Sequence, residues 1–175
     1  MSIRKYYEDL GVQGFYTSGI EYLNNHSSYV ESLLLENHKD LPLDNVLDLA
    51  CGGGLVTKTL QSLGYQRIEG IDPYLSHNYT AMTGCRCYEL SFKDIIQNTL
   101  NTKYSCIICS FALHLCERSM LPSLVWRLSE MATKLVVISP SKFPYIGKPG
   151  VERFSLTPEK KRVHYRVYDL PIISY

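Results

Sequence analysis

Short apolar runs alternate along this chain with stretches in which apolar residues recur at helical spacing, a pattern that predicts strands and helices in turn. Val46, Leu47 and Leu49 give the first run and Ile68 to Ile71 the second. Gly84 to Leu90 reads as an edge strand, and Lys103 to Phe111 as a fourth strand whose Cys106-Ile107-Ile108-Cys109 is apolar on both faces. Leu135 to Ile138 makes a fifth. Val30, Leu33 and Leu34 mark a helix running to about His38, opened by a capping box of Ser28 with Glu31. Leu55, Leu60 and Leu63 mark another, and Gly64 suits the left-handed residue that ends a helix. Ser91 and Asp94 read as a second capping box before a short helix. Leu121, Leu124, Val125, Leu128 and Met131 share one helical face, with Pro122 in the first turn. Between Pro73 and Met82 no clear period is seen.

The two ends differ from this regular middle. Residues 3 to 9 read as a short helix, after which Gly11, Gly14 and Gly19 break up a tyrosine-rich stretch that includes Tyr16 and Tyr22. Beyond the fifth strand, Pro140, Pro144, Pro149 and Gly150 leave no room for a full helix. Phe154 to Leu156 and Val163 to Val167 then read as two strands around the turn TPEKKR. With 175 residues the chain is expected to be a single domain (1–175): an aromatic cover at 1–26, a core at 27–140 and C-terminal strands at 141–175. Strand, glycine turn, helix at Val46 to Leu63 is the opening unit of a doubly wound α/β fold, three layers around a mostly parallel sheet.

The stretch VLDLACGGGL carries the chemistry. A dinucleotide fingerprint would place glycines at 50, 52 and 55, whereas this chain has Ala50, Gly52 and Leu55, which disfavours a pyrophosphate. Asp48, at the mouth of the strand, would repel phosphate but suit an ammonium or sulfonium group. Asp72 ends the second strand, where an acid is placed to accept ribose hydroxyls. D-x-A-x-G-x-G followed by IDP, over about residues 26 to 140, resembles the class I S-adenosylmethionine-dependent methyltransferases.

That resemblance implies a Rossmann-like methyltransferase fold with a C-terminal hairpin-like pair of strands, and S-adenosyl-L-methionine as cofactor. It implies contacts to the cofactor from Tyr16, Asp48, Ala50, Cys51, Gly52, Gly54, Asp72 and Pro73. Ser91 and Phe92 would lie at adenine, and Ser110 and Phe111 would form the floor. Tyr16, Tyr22, His26 and His114 are the acceptor-side candidates, with no catalytic base identified. The sulfonium donor leaves as a neutral thioether, so holding acceptor and methyl in line supplies most of the rate and a base is needed only for an acceptor that must lose a proton. A net charge of +1 gives no general pull toward nucleic acid, which favours a small-molecule acceptor over RNA or protein. A non-catalytic cofactor-binding partner subunit is the third alternative.

Charge and cysteine usage narrow the setting. No apolar run approaches membrane-spanning length and the first residues lack the apolar core of a signal peptide, so a cytoplasmic protein is expected. Cys85-x-Cys87 and Cys106-x-x-Cys109 have the look of a zinc site, but residues three apart in a strand face opposite ways. No metal is expected, and the six cysteines read as reduced thiols. Lys160, Lys161 and Arg162 read as a solvated turn.

Overall fold

The computed structural model describes residues 27–97, 100–157 and 162–171. The elements are helix α1 (Ser27–Asn37), a 3-10 turn His38–Asp40, β1 (Val46–Leu49), α2 (Leu55–Ser62), β2 (Ile68–Ile71), α3 (Ser76–Thr83), β3 (Cys87–Tyr88), α4 (Phe92–Gln97), β4 (Cys106–Ser110), a 3-10 turn Leu113–Leu115, α5 (Leu121–Met131), β5 (Lys134–Ser139), β6 (Val151–Leu156) and β7 (Arg162–Asp169). The strands form one sheet in the order β3-β2-β1-β4-β5-β7-β6. β1 to β5 are parallel, and the β6–β7 hairpin joins antiparallel through β7. The order reverses at β1, and at such a switch point the loops at the strands' carboxyl ends separate and leave a crevice.

Each face of the sheet carries its own core. Val46, Ile108, Val136, Ile138 and Tyr165 lie under α1 and α2, where Val30, Leu33, Leu34, Val56 and Leu60 meet them. On the other face, Leu47, Ile107, Cys109, Leu135 and Val137 lie under α4 and α5, with Ile95, Leu124, Leu128 and Met131. Cys106 and Cys109 thus sit in different cores, as expected of residues three apart in a strand. On the outer side of α5, Trp126 is 62% exposed beneath the Arg127 guanidinium.

The structure departs from sequence expectation at several elements. The segment after Pro73 is helix α3; only Ser76 and Tyr79 of it are buried, which is why no period is visible. It is started by Asp72, whose Oδ1 accepts the N–H groups of Tyr74 (2.9 Å) and Leu75 (2.8 Å). The third strand is only Cys87–Tyr88, so Cys85 lies outside it, and β4 is limited to Cys106–Ser110 with a single bridge from Tyr104 to Ala132 before it. β6 begins at Val151 and β7 runs to Asp169, because each supplies a full row of partners to the other or to β5. No helix intervenes between β5 and β6. The segment 3–9, Tyr16, Tyr22, His26, Lys160 and Lys161 lie outside the described residues.

Candidate functional site

The site is built on the turn between β1 and α2. After Leu49 the chain takes φ values of 55° at Ala50, 51° at Gly52 and 80° at Gly54. A side chain at Ala50 in this left-handed region is uncommon. Phe111, the residue after β4, has φ 55° as well, so the two non-glycine left-handed residues among those described stand at the carboxyl ends of neighbouring strands. Such strained positions gather at ligand clamps, where the surroundings over-determine them.

The glycines have different jobs. A Cβ on Gly54 would come within 2.4 Å of the Thr83 methyl, so here the turn is packed against α3. Among the described residues a Cβ on Gly52 or Gly53 would meet nothing within 4 Å, which makes these two the open side of the turn toward the rest of the described chain. Gly70 of β2 makes a notch, since a Cβ there would sit 2.7 Å from both the Cys51 sulfur and the Tyr79 ring.

The two acids divide the electrostatics. Asp72 is 7% exposed at the end of β2, and its Oδ2 accepts the Gly52 N–H at 3.0 Å while Oδ1 takes the amides of Tyr74 and Leu75, just before α3. A carboxylate has about four acceptor positions, so about one remains for a hydroxyl at the crevice. The Gly52 amide, which a pyrophosphate would claim, is thereby already given to a carboxylate.

Asp48 corrects the sequence reading. It is 1% exposed and turns onto α2, where its Oδ2 accepts the Thr57 N–H (3.2 Å) and the Thr57 hydroxyl (2.8 Å). Thr57 Oγ1 in turn accepts from the buried Tyr79 hydroxyl at 2.8 Å. Gly54 occupies the N-cap with no side chain to offer, and Asp48 caps the helix in its place. Burial raises the Asp48 carboxyl to about 7 against the lowering effect of the Thr57 bonds.

The remaining expected residues are placed as follows. Cys51 is buried with its sulfur 3.6 Å from that of Cys87, a meeting that no spacing in the sequence signals. Pro73 is half-buried beside Asp72. The Ser91 hydroxyl donates to Asp94 Oδ2 at 2.6 Å and the Asp94 N–H returns to Ser91 Oγ at 3.2 Å, the expected capping box, while Phe92 packs on the α4–α5 core. Ser110 and Phe111 are half-buried, with the Phe111 amide tied to the Ile138 carbonyl at 2.8 Å. His114 is exposed on the 3-10 turn after β4, and partial desolvation lowers its pKa, so the ring is neutral at pH 7. Among the described residues no group of three or more His, Cys, Asp or Glu is arranged to hold a metal ion.

No family model matches the sequence. An uncharacterized protein of Schizosaccharomyces pombe is 31% identical over 136 residues, covering 57% of this chain and 55% of the relative, so the chain spans about half the length of the curated relative it matches. Among solved structures, magnesium protoporphyrin IX methyltransferase of Synechocystis PCC 6803, with bound S-adenosylmethionine, is 16% identical and covers 95% of each chain with a TM-score of 0.63. The methyltransferase domain of a bacterial Hen1 is 14% identical over 83% of this chain and 99% of its own (TM-score 0.59). An O-methyltransferase fold from Nostoc punctiforme PCC 73102 is 11% identical over 82% of this chain and 56% of its own (TM-score 0.62). The chain has the Rossmann-like fold of the class I methyltransferases, with the C-terminal antiparallel pair.

Proposed function

We propose that this chain is an S-adenosyl-L-methionine-dependent methyltransferase acting on a small-molecule acceptor. The observation that carries the reading is the carboxylate of Asp72 at the switch-point crevice, bound to the amide of Gly52 and with acceptor capacity left over. A ligand bearing hydroxyls and a positive charge suits that arrangement, and one bearing a diphosphate does not. Neighbours with the same fold include one with S-adenosylmethionine bound, which supports the choice of ligand.

Each residue then has a part. Asp72 accepts from the ribose, with Pro73 fixing the turn behind it. Gly52 and Gly53 present open backbone, while Ala50, Cys51 and Gly54 set the curvature of the cradle. Asp48 acts as a positioning residue that anchors α2 to β1. Ser91 and Phe92 border the adenine end, and Ser110 and Phe111 turn the chain beneath the methionine end. When bound, the cofactor supplies a methyl group on a sulfonium whose departure as a thioether needs no acid. His114, neutral at pH 7, is the described residue best suited to take a proton from an acceptor held over the end of β4. Tyr16, Tyr22 and His26 belong to the same proposal as acceptor-side residues.

The acceptor named for one fold neighbour, magnesium protoporphyrin IX, supports a small molecule, as does the net charge of +1. A cytoplasmic location is supported by six free cysteines, and no helix among the described residues is long and apolar enough to cross a membrane.

Titration calorimetry with S-adenosylhomocysteine tests the cofactor assignment: Asp72→Ala should weaken binding by at least about tenfold, the loss expected for one charge-assisted hydrogen bond. Equal affinity in the variant would remove the ribose assignment. Incubating the protein and methyl-labelled cofactor with cell extract, then separating small molecules, RNA and protein, tests the acceptor. Label in either macromolecular fraction would replace the small-molecule reading, and ligand binding without label in any fraction would favour a cofactor-binding partner subunit.

A further inference from the structure

Cys87 is the register partner of Gly70, so its side chain leaves the sheet on the face where the Gly70 notch lies. The Cys51 sulfur fills that notch from the other side, 2.7 Å from where a Gly70 Cβ would be. The missing side chain on β2 thus lets two thiols meet across a strand, with their sulfurs 3.6 Å apart. The other thiols are differently placed: Cys106, Cys109 and Cys116 are buried in the cores, and Cys85 accepts a hydrogen bond from Gln61 at 3.3 Å.

We infer that Cys51 and Cys87 are a peroxide-sensitive pair whose disulfide closes over Gly70 and distorts the ligand-binding turn. Cys87 is the half-buried member and reacts first: its thiolate attacks hydrogen peroxide, the O–O bond breaks, and sulfenic acid and hydroxide form. The Cys51 thiol then attacks that sulfur and water leaves, so two thiols and one peroxide give one disulfide and two waters. A disulfide needs the sulfurs at about 2.05 Å, so Cys51 is drawn toward β3. Cys51 stands between Ala50 and Gly52, both in left-handed conformations, and the movement is passed directly to the open side of the turn.

The formation of the link stands on the geometry alone, while its effect on ligand binding rests on the proposed function. The reduced chain is treated with hydrogen peroxide, alkylated and digested with trypsin, which separates Cys51 (residues 40–58), Cys85 (68–86) and Cys87 (87–93) into different peptides. The expected product joins 40–58 to 87–93, with the other four cysteines alkylated. Affinity for S-adenosylhomocysteine should fall by about tenfold on oxidation, the loss of about one hydrogen bond to the displaced turn, and return with dithiothreitol. Cys87→Ser should bind as the reduced protein does and ignore peroxide. A missing link, a link between other cysteines, undiminished affinity in the linked protein, or an equal peroxide effect in Cys87→Ser overturns the inference. Failure of the reduced protein to bind the ligand would overturn the proposed function instead, and the peptide map would still decide the link.

Discussion

Asp48 and Asp72 are both acids at strand ends, yet they serve different elements. Asp48 points across β1 onto α2 because Gly54 leaves the helix without a cap. Its carboxyl, at about 7 in the folded chain, lies above the 3.8 of an unfolded one. The folded state therefore holds the proton more tightly, and this residue's contribution to stability falls as pH rises from about 4 to about 7. Asp48→Asn should remove that dependence: its melting temperature relative to wild type rises from pH 5 to pH 8, at most about 1.4 kcal/mol of stability per pH unit. Parallel curves for the two proteins would contradict it. The sequence made both acids visible but not their directions, since the direction depends on what the neighbouring helix lacks. Asp72 stands at the end of β2, where the apolar run Ile68 to Ile71 placed it, and serves both the glycine turn and the segment leading into α3. The meeting of Cys51 with Cys87 was hidden because it depends on the register of β2 with β3.

At the level of elements, α2 was the most readable piece, since a glycine stands at each end. Gly64 has φ 94°, with its N–H on Gln61 and the Tyr65 N–H on Leu60, the paired bonds of a Schellman end. Gly64→Ala should cost about 1 kcal/mol, because among the described residues the added methyl meets nothing within 4 Å and only the backbone is strained. Gly54→Ala should cost more, about 2–4 kcal/mol, since φ 80° is joined by the 2.4 Å approach to Thr83. Adding Thr83→Ser, which keeps the hydroxyl and removes the methyl, should recover part of the Gly54→Ala loss and none of the Gly64→Ala loss in denaturant titrations. Helix α3 was illegible for the opposite reason. Its start is set by a side chain outside it, Asp72, and only Ser76 and Tyr79 of it are buried.

Across the whole molecule, the continuous sheet ties the two cores together, and the β6–β7 hairpin extends it without a helix to cover the connection from β5. Arg166 does part of that work: 5% exposed, it donates to Glu152 at 2.8 Å and to the Lys142 carbonyl at 3.2 Å. Arg166→Met should destabilise by about 1–3 kcal/mol and speed cleavage after Lys142 in limited trypsin digestion, because the loop loses its tie to β7. Unchanged cleavage would assign the loop's order to Ser139 and Ser141, which hold the Phe143 carbonyl. The strand pair was foreseen from the alternation of Val163, Tyr165 and Val167; the insertion of β7 between β5 and β6 was not, since alternation gives a strand's faces and says nothing of its neighbours. The sole tryptophan, outward on α5, sets how all these measurements are best read. Its indole already emits from a watery setting in the native protein, so unfolding shifts its fluorescence little, and the buried rings of Tyr79, Tyr165 and Tyr168 make near-ultraviolet dichroism the more informative signal.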